Sequence, residues 1–404
     1  MATGITFRAA VELLQDTRNV PVILEGRRRS ARVLCAPSLV GRVMTTTFDA
    51  DRGSALAWIG TNAIQKGPVD SVFNNYGGEE RPWFGPEGSQ FGLHFRSKIQ
   101  TFENYRVQAG MSWQPYKIVH RTADSVLMRA RIHLQNLAGT RFDLNVERLI
   151  RIIDCCPYTM GLTDRIDFVG FQSETRVTNM DSRPIRPETG LLCCWTPGLH
   201  PYHDGSVVAL PIREGSEREL GAPIRRDYFK DLCLGGDLPA AYWSVRPGRA
   251  LFKADGGFRL KAGVSARRAC NRIGAVQPAG GTMVIQDFDL YPELSYVAPW
   301  WRHLSPEELA DGEAASTYID GPDENGNRAG DFYELETLSP AMPLLPGESF
   351  THRNRVYHLR GERQDLNRVS ARFLHTTFEE AAEVLAVSSD VTSRAAITAP
   401  VVAR

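Results

Sequence analysis

Neither sign of charge is in excess: 47 Lys and Arg stand against 47 Asp and Glu in 404 residues, a formal charge of zero. That removes the electrostatic case for nucleic acid or an anionic membrane as the main partner, and a small neutral ligand fits better. Long hydrophobic runs are also lacking. Nowhere do about eighteen apolar residues follow one another, so no transmembrane helix is expected. Near the start, Arg8, Glu12 and Asp16 interrupt Ala9, Val11, Leu13 and Leu14, which leaves no signal-peptide core, and the chain reads as cytoplasmic. Cysteine is sparse. The count is seven, which is odd, with two adjacent pairs (Cys155-Cys156 and Cys193-Cys194) and no CxxC spacing. Free thiols are expected in place of disulfides or zinc ligands. A P-loop, a dinucleotide-binding glycine fingerprint and a G-x-S-x-G elbow are all missing. No cofactor and no metal are expected, and the oligomeric state is left open.

What the chain does contain is strands. After a helix read over 5–16, short β-branched and aromatic runs lie between Gly, Pro, Asp and Asn, as in 20-VPVILEG, 41-GRVMTTTFD, 55-ALAWIGT and 116-YKIVHRT. In 125–134, Val126, Met128, Ala130, Ile132 and Leu134 alternate with polar residues, and Phe142, Leu144, Val146 and Arg148 share a face in 141–153. Such alternation marks half-buried antiparallel strands. With no regular βα alternation, the fold class is mainly β, a large antiparallel sandwich. The organisation read is an N-terminal helix (1–19), a β domain (20–360), and a helical C-terminal extension ending in a mobile tail (361–404). Ser305-Pro306 with Glu308 is a helix start.

Four stretches hold more polar and aromatic residues than folding requires. In 74-NNYGGEERPWFGPEGSQFGLHF-95, Trp83 offers a flat apolar face beside Glu79, Glu80, Arg81 and Glu87, a combination suited to sugar. In 193-CCWTPGLHPYHDG-205, read as a Pro/Gly loop, His200 and His203 lie three apart near Trp195. Proton transfer or ligand binding suits them better than a metal, for which no third ligand is evident. The stretch 286-QDFDLYPELSYVAPWW-301 adds Asp287, Asp289, Trp300 and Trp301. Finally, 331-DFYELETLSPAMPLLPGESFTHRNRVYHL-359 reads as a strand, a Pro346-Gly347 turn and a return strand with His352, Arg353 and Arg355. Its Glu334 and Glu336 sit two apart and so share one strand face.

The 333-YELETLSP…LLPGES…R…Y-357 segment resembles the C-terminal signature of the galactose mutarotase-like (aldose 1-epimerase) superfamily. The 74-NNYGG-78 stretch is similar to its N-x-x-H-G-G loop, and 176-RVTNM-180 to its L-T-N-H strand. This resemblance implies a β-supersandwich with a sugar site on a concave face, and it puts Glu336 at the position of the general base. Tyr76 and Met180 stand where the family has histidines, so the proton donor must come from elsewhere: His200, His203, Tyr76, Glu79, Glu80 or Glu87.

The expected activity is therefore proton transfer on a sugar (epimerisation, ring opening or elimination), but not standard mutarotation. Glu336, His200 and His203 are the expected catalytic residues. Tyr76, Glu79, Glu80, Arg81, Trp83, Glu87, Trp195, Glu334 and Arg353 are the expected binding residues, and a sugar or oligosaccharide is the partner. The alternatives are a non-catalytic sugar-binding protein, or a glycan lyase with a groove lined by Trp83, Trp195 and Trp300.

Overall fold

The computed structural model describes residues 4–386 apart from 18, 70–72, 163, 203–204, 227, 229–239 and 324. His203 and the C-terminal tail thus lie outside the described residues. Strands dominate what is described. Ten form one antiparallel sheet, in which Ile166–Asn179 pairs with Arg141–Ile152 on one side and Ser349–Gly361 on the other. A second antiparallel sheet has five strands in the order Leu260–Ser265, Glu313–Ile319, Phe332–Leu338, Cys193–Pro201 and Trp83–Gly85. Val22–Glu25, Arg32–Ala36 and Arg42–Thr47 form a third, three-stranded sheet.

Alternation in the sequence becomes burial in the fold. Val126, Met128, Ala130, Ile132 and Leu134 are all buried, while Arg129, Arg131 and His133 between them are exposed. With Val146, Phe171 and Val356 of the same sheet, they share one core with Val264, Tyr333 and Leu335 of the five-stranded sheet. Each such aliphatic side chain contributes about 1.5–3 kcal/mol when fully buried. The protein is thus a mainly β sandwich of large antiparallel sheets.

Helices cover its flanks. Phe7–Asp16 is capped by Thr6, whose hydroxyl accepts from the Ala9 amide, and it buries Phe7, Ala10 and Leu14 against Leu34, Ala36 and Met44. Ser305 and Glu308 form a capping box that starts Pro306–Leu309. The helices Arg363–Phe373 and Phe378–Ala386 set Leu366, Val369, Phe378 and Ala381 against Val207, Ala209, Ile285 and Leu359 of the ten-stranded sheet. No described helix is long and apolar enough to cross a membrane. The six described cysteines are free thiols, four of them buried, and Cys155 is exposed.

Three local expectations change. The 55–61 run is not a strand and makes only an isolated bridge from Ile59 to Gly77. The stretch expected as a Pro/Gly loop is the strand Cys193–Pro201, held on both sides by Phe332–Leu338 and Trp83–Gly85. Its Gly198 is needed there, because a Cβ would come within 2.2 Å of the Glu79 carbonyl oxygen. Lastly, Phe332–Leu338 and Ser349–Gly361 are not a hairpin: the chain turns at 346–347 but enters the other sheet. Arg353 and the two glutamates therefore belong to different layers.

Candidate functional site

Directly opposed residues of an antiparallel pair point to the same side of the sheet. Glu334 opposes Tyr318 and Leu199, Glu336 opposes Ser316 and Pro197, and Leu338 opposes Trp195, which in turn opposes Trp83. Lys261 opposes Tyr318 from the next strand. These registers collect two carboxylates, a lysine and two tryptophans on the outer face of the five-stranded sheet. Tyr333, Leu335 and Thr337 take the inner face toward the ten-stranded sheet. The shared face expected for Glu334 and Glu336 is thus realised.

Loops convert that face into a cleft of about 170 Å³. Trp83, Trp195, Phe332 and Tyr318 come from the sheet, and Phe73, Phe102, Tyr105 and Trp301 from the loops. The rings meet largely edge to face, with Trp83 and Trp195 at 5.3 Å between centroids and 71°. Such packing fixes the walls without filling the space between them. Trp301, not Trp300, takes part: Trp300 packs against Tyr228, Ala298 and Leu304 in a separate small core.

Glu334 reaches the cleft. It is 8 % exposed, and Oε1 accepts from the Arg81 guanidinium at 2.7 Å. Arg81, fully buried, lies 3.9 Å above the Trp83 ring. Burial raises the Glu334 pKa to about 7; Arg81 and Lys261 oppose the rise, and neighbouring Glu336 adds to it. A carboxyl poised there exchanges a proton near neutral pH.

Glu336 sits behind it. Its Oε2 accepts from Trp195 Nε1 at 2.9 Å and Ser316 Oγ at 2.9 Å, with Lys261 Nζ at 3.3 Å. It borders a hole of only about 10 Å³ and does not line the cleft. Lys261 bridges to Glu87 at 3.2 Å, and Glu87 also accepts from the Tyr105 hydroxyl at 3.1 Å. Burial alone would lower the Lys261 pKa, but Glu336, Glu87 and Glu334 outweigh it and the ammonium is retained. Glu336 therefore fixes Lys261 and Trp195, whereas Glu334 faces whatever enters.

His94 lies under the aromatic floor, 5.1 Å from Trp83 and 5.3 Å from Trp195 between ring centroids. Its Nε2 donates to the Phe84 carbonyl, and burial pushes its pKa down to about 3, so the ring is neutral. Sequence reading missed His94, Lys261, Arg259 and Tyr105 as site residues. Lys261 carried a usable signal, since it interrupts the apolar strand 257-GFRLKAGV much as Glu334 and Glu336 interrupt theirs.

Of the residues expected at the site, Arg81, Trp83, Glu87, Trp195, Glu334 and Glu336 come together. Others do not. Glu79 and Glu80 turn into the space between the sheets, where Glu80 accepts from Arg148, Ser173 and Asn354. Tyr76 packs with the N-terminal helix, because Gly77 (φ +73°) turns the chain tightly against the Trp58 carbonyl. Met180 is 44 % exposed and lies outside the cleft. Arg353 pairs with Glu174 and Asp289 at the surface of the other sheet. His200 opposes Tyr333 and so points to the inner face.

A model for a family of unknown function, DUF6786, matches residues 5–385. The chain belongs to the DUF6786 family. No curated protein matches it in sequence. Solved structures similar to this DUF6786 chain include a galactose mutarotase-like protein from Lactobacillus casei (12 % identity, 84 % of this chain and 100 % of that one, TM-score 0.48). Another is the Slr1438 protein of Synechocystis sp. PCC 6803 (13 %, 85 % and 97 %, TM-score 0.48). A third is a galactose mutarotase related enzyme from Lactobacillus acidophilus (7 %, 85 % and 97 %, TM-score 0.41).

Proposed function

We propose that the aromatic cleft binds a sugar and that Glu334 moves a proton on it. The observation that carries this reading is the place of Glu334, a buried carboxyl that lines a cleft between Trp83, Trp195 and Phe332 and whose pKa burial raises. Tryptophan faces favour the C–H surface of a sugar ring, and the Arg81–Glu334 and Lys261–Glu87 pairs supply hydrogen bonds for hydroxyl groups. Ionised Glu334 takes a proton from the sugar, and the same group, once protonated, returns it. Lys261 remains charged and stabilises negative charge developing on a sugar oxygen. Epimerisation, ring opening and elimination all begin with this proton transfer. Geometry favours Glu334 over Glu336 as the base, with Glu336 in a positioning role.

A specific contact supports a second reading, a sugar-binding protein without turnover: Arg81 already holds one oxygen of Glu334. Saturation-transfer NMR with a panel of aldoses, keto-sugars and uronate oligomers, run alongside product analysis, separates the two. The enzyme reading expects Glu334→Gln to abolish turnover while binding stays within about threefold of wild type. Binding by wild type with no turnover of any panel member would leave the non-catalytic reading. Absence of binding to every sugar would overturn both.

A further inference from the structure

On the inner side of Cys193–Pro201 and Phe332–Leu338 lies a second cavity, of about 390 Å³, which shares no lining residue with the cleft. Trp58, Phe48, Tyr202 and Tyr333 form much of its wall, and His200 and His358 supply polar atoms. His200 is 2 % exposed, and neither of its ring nitrogens has a protein partner. Its ring stacks on Tyr333 at 5.5 Å and stands 5.5 Å from that of His358. His358 is held in turn by fully buried Glu79, Nε2 to Oε1 at 2.8 Å, and Glu79 also accepts from Thr46 Oγ1 at 3.0 Å.

The wall is built with care behind His358 and left open at His200. Buried polar groups in folded proteins are hydrogen-bonded with few exceptions, and an imidazole with two idle nitrogens facing a cavity is such an exception. Burial and the neighbouring His358 keep His200 neutral. A neutral imidazole presents one donor and one acceptor. A hydroxyl group matches both. A carboxylate would use only the donor and would meet Asp331, which also lines the cavity. An ammonium would leave the donor idle.

We propose that this cavity is a second ligand site, taking a small neutral polyhydroxyl molecule through a hydroxyl hydrogen-bonded to His200. Flat aromatic walls and a paired donor and acceptor suit a polyol or a single sugar ring, and the site is independent of Glu334.

The full chain, labelled with ¹⁵N-histidine, tests this in long-range ¹H–¹⁵N spectra of the imidazoles, with His200→Gln assigning the His200 signals. Glycerol, sorbitol, myo-inositol, glucose and galactose are the probes, the first two reporting acyclic polyols and the rest rings. The expected result is a saturable shift of the His200 nitrogens with at least one probe. It should persist in Trp83→Ala checked to be folded, which removes one wall of the outer cleft and no residue of the cavity, and the affinity should fall about tenfold or more in His200→Phe. His200 signals unmoved by every probe up to about 0.1 M would overturn the proposal. So would a shift that disappears in Trp83→Ala, because it would then report the outer cleft. Where a His200 variant fails to fold, the His200 signals are the imidazole pair left once the other histidines are assigned by single substitution, and the wild-type titration still decides the matter.

Discussion

Two pairs of neighbouring glutamates are buried in this protein, and they are not alike. Glu79 and Glu80 lie between the sheets. Both oxygens of Glu80 are taken, Oε1 by Arg148 at 2.5 Å and Oε2 by Ser173 at 2.5 Å and Asn354 at 2.7 Å. Glu334 and Glu336 lie on the outer face, where Glu336 is tied to Trp195, Ser316 and Lys261 and Glu334 keeps a side toward open volume. Charge, burial and an arginine partner are common to both pairs. The difference is access: a saturated buried carboxylate holds layers together, whereas one with a side facing a cleft can do chemistry.

Substitutions can break that comparison. The largest expected effect is from Arg148→Ala, which strands Glu80 without its charge partner in the core. Denaturant unfolding should show a loss of about 3–5 kcal/mol. Next, Trp83→Ala should weaken sugar binding at the outer cleft by about tenfold or more in calorimetric titration, since it removes one aromatic wall and the ring under Arg81. If Glu80→Gln impaired turnover as severely as Glu334→Gln in a variant shown to be folded, the division of roles between the pairs would fail.

A smaller effect concerns pH. His94 and His352 are pushed down to about 3 by burial, and His200 is also lowered, each from an ordinary 6.5. The unfolded chain therefore binds more protons than the native one between about 3 and 6.5, and these groups make stability rise with pH across that window. Glu334 acts oppositely. Its folded pKa lies above the ordinary 4.5, so its contribution is present below 4.5 and is lost as pH rises toward about 7. Burial raises the Asp320 carboxyl in the same sense as Glu334, and three histidines against two carboxyls give a net rise between pH 4.5 and 6.5, measurable as an increasing urea midpoint. Glu334→Gln should steepen that rise. The smallest expected effect is that of Arg353→Ala, whose surface pairs with Glu174 and Asp289 contribute little: a change within about 0.5 kcal/mol by thermal melting.

Much of the layer structure was legible in the chain. Period-two alternation in 125–134 and 141–153 depends only on the pleat, so it named buried and exposed faces correctly, including buried Arg148. The same rule placed Glu334 and Glu336 on one face. Proline and glycine misled at 193–201, where pairing on both edges overrides local preference, and at 338–349, where a turn leads into another sheet instead of a hairpin. Lys261 escaped notice because one polar residue in a strand has no marker of its own until its neighbours are known.

The sequence by itself determined the mainly β character, the absence of charge bias, the helix start at Ser305 and the parity of the strands with clear alternation, since these follow from nearest-neighbour geometry and composition. Only the tertiary structure decided that Arg81, Lys261, Glu87 and Glu334 meet, that Glu79 and Glu80 do not join them, and that His200 faces the other way. Those outcomes rest on registers between strands, more than a hundred residues apart where Cys193–Pro201 pairs with its two neighbours, and a shift of one residue would exchange the two faces and every partner on them.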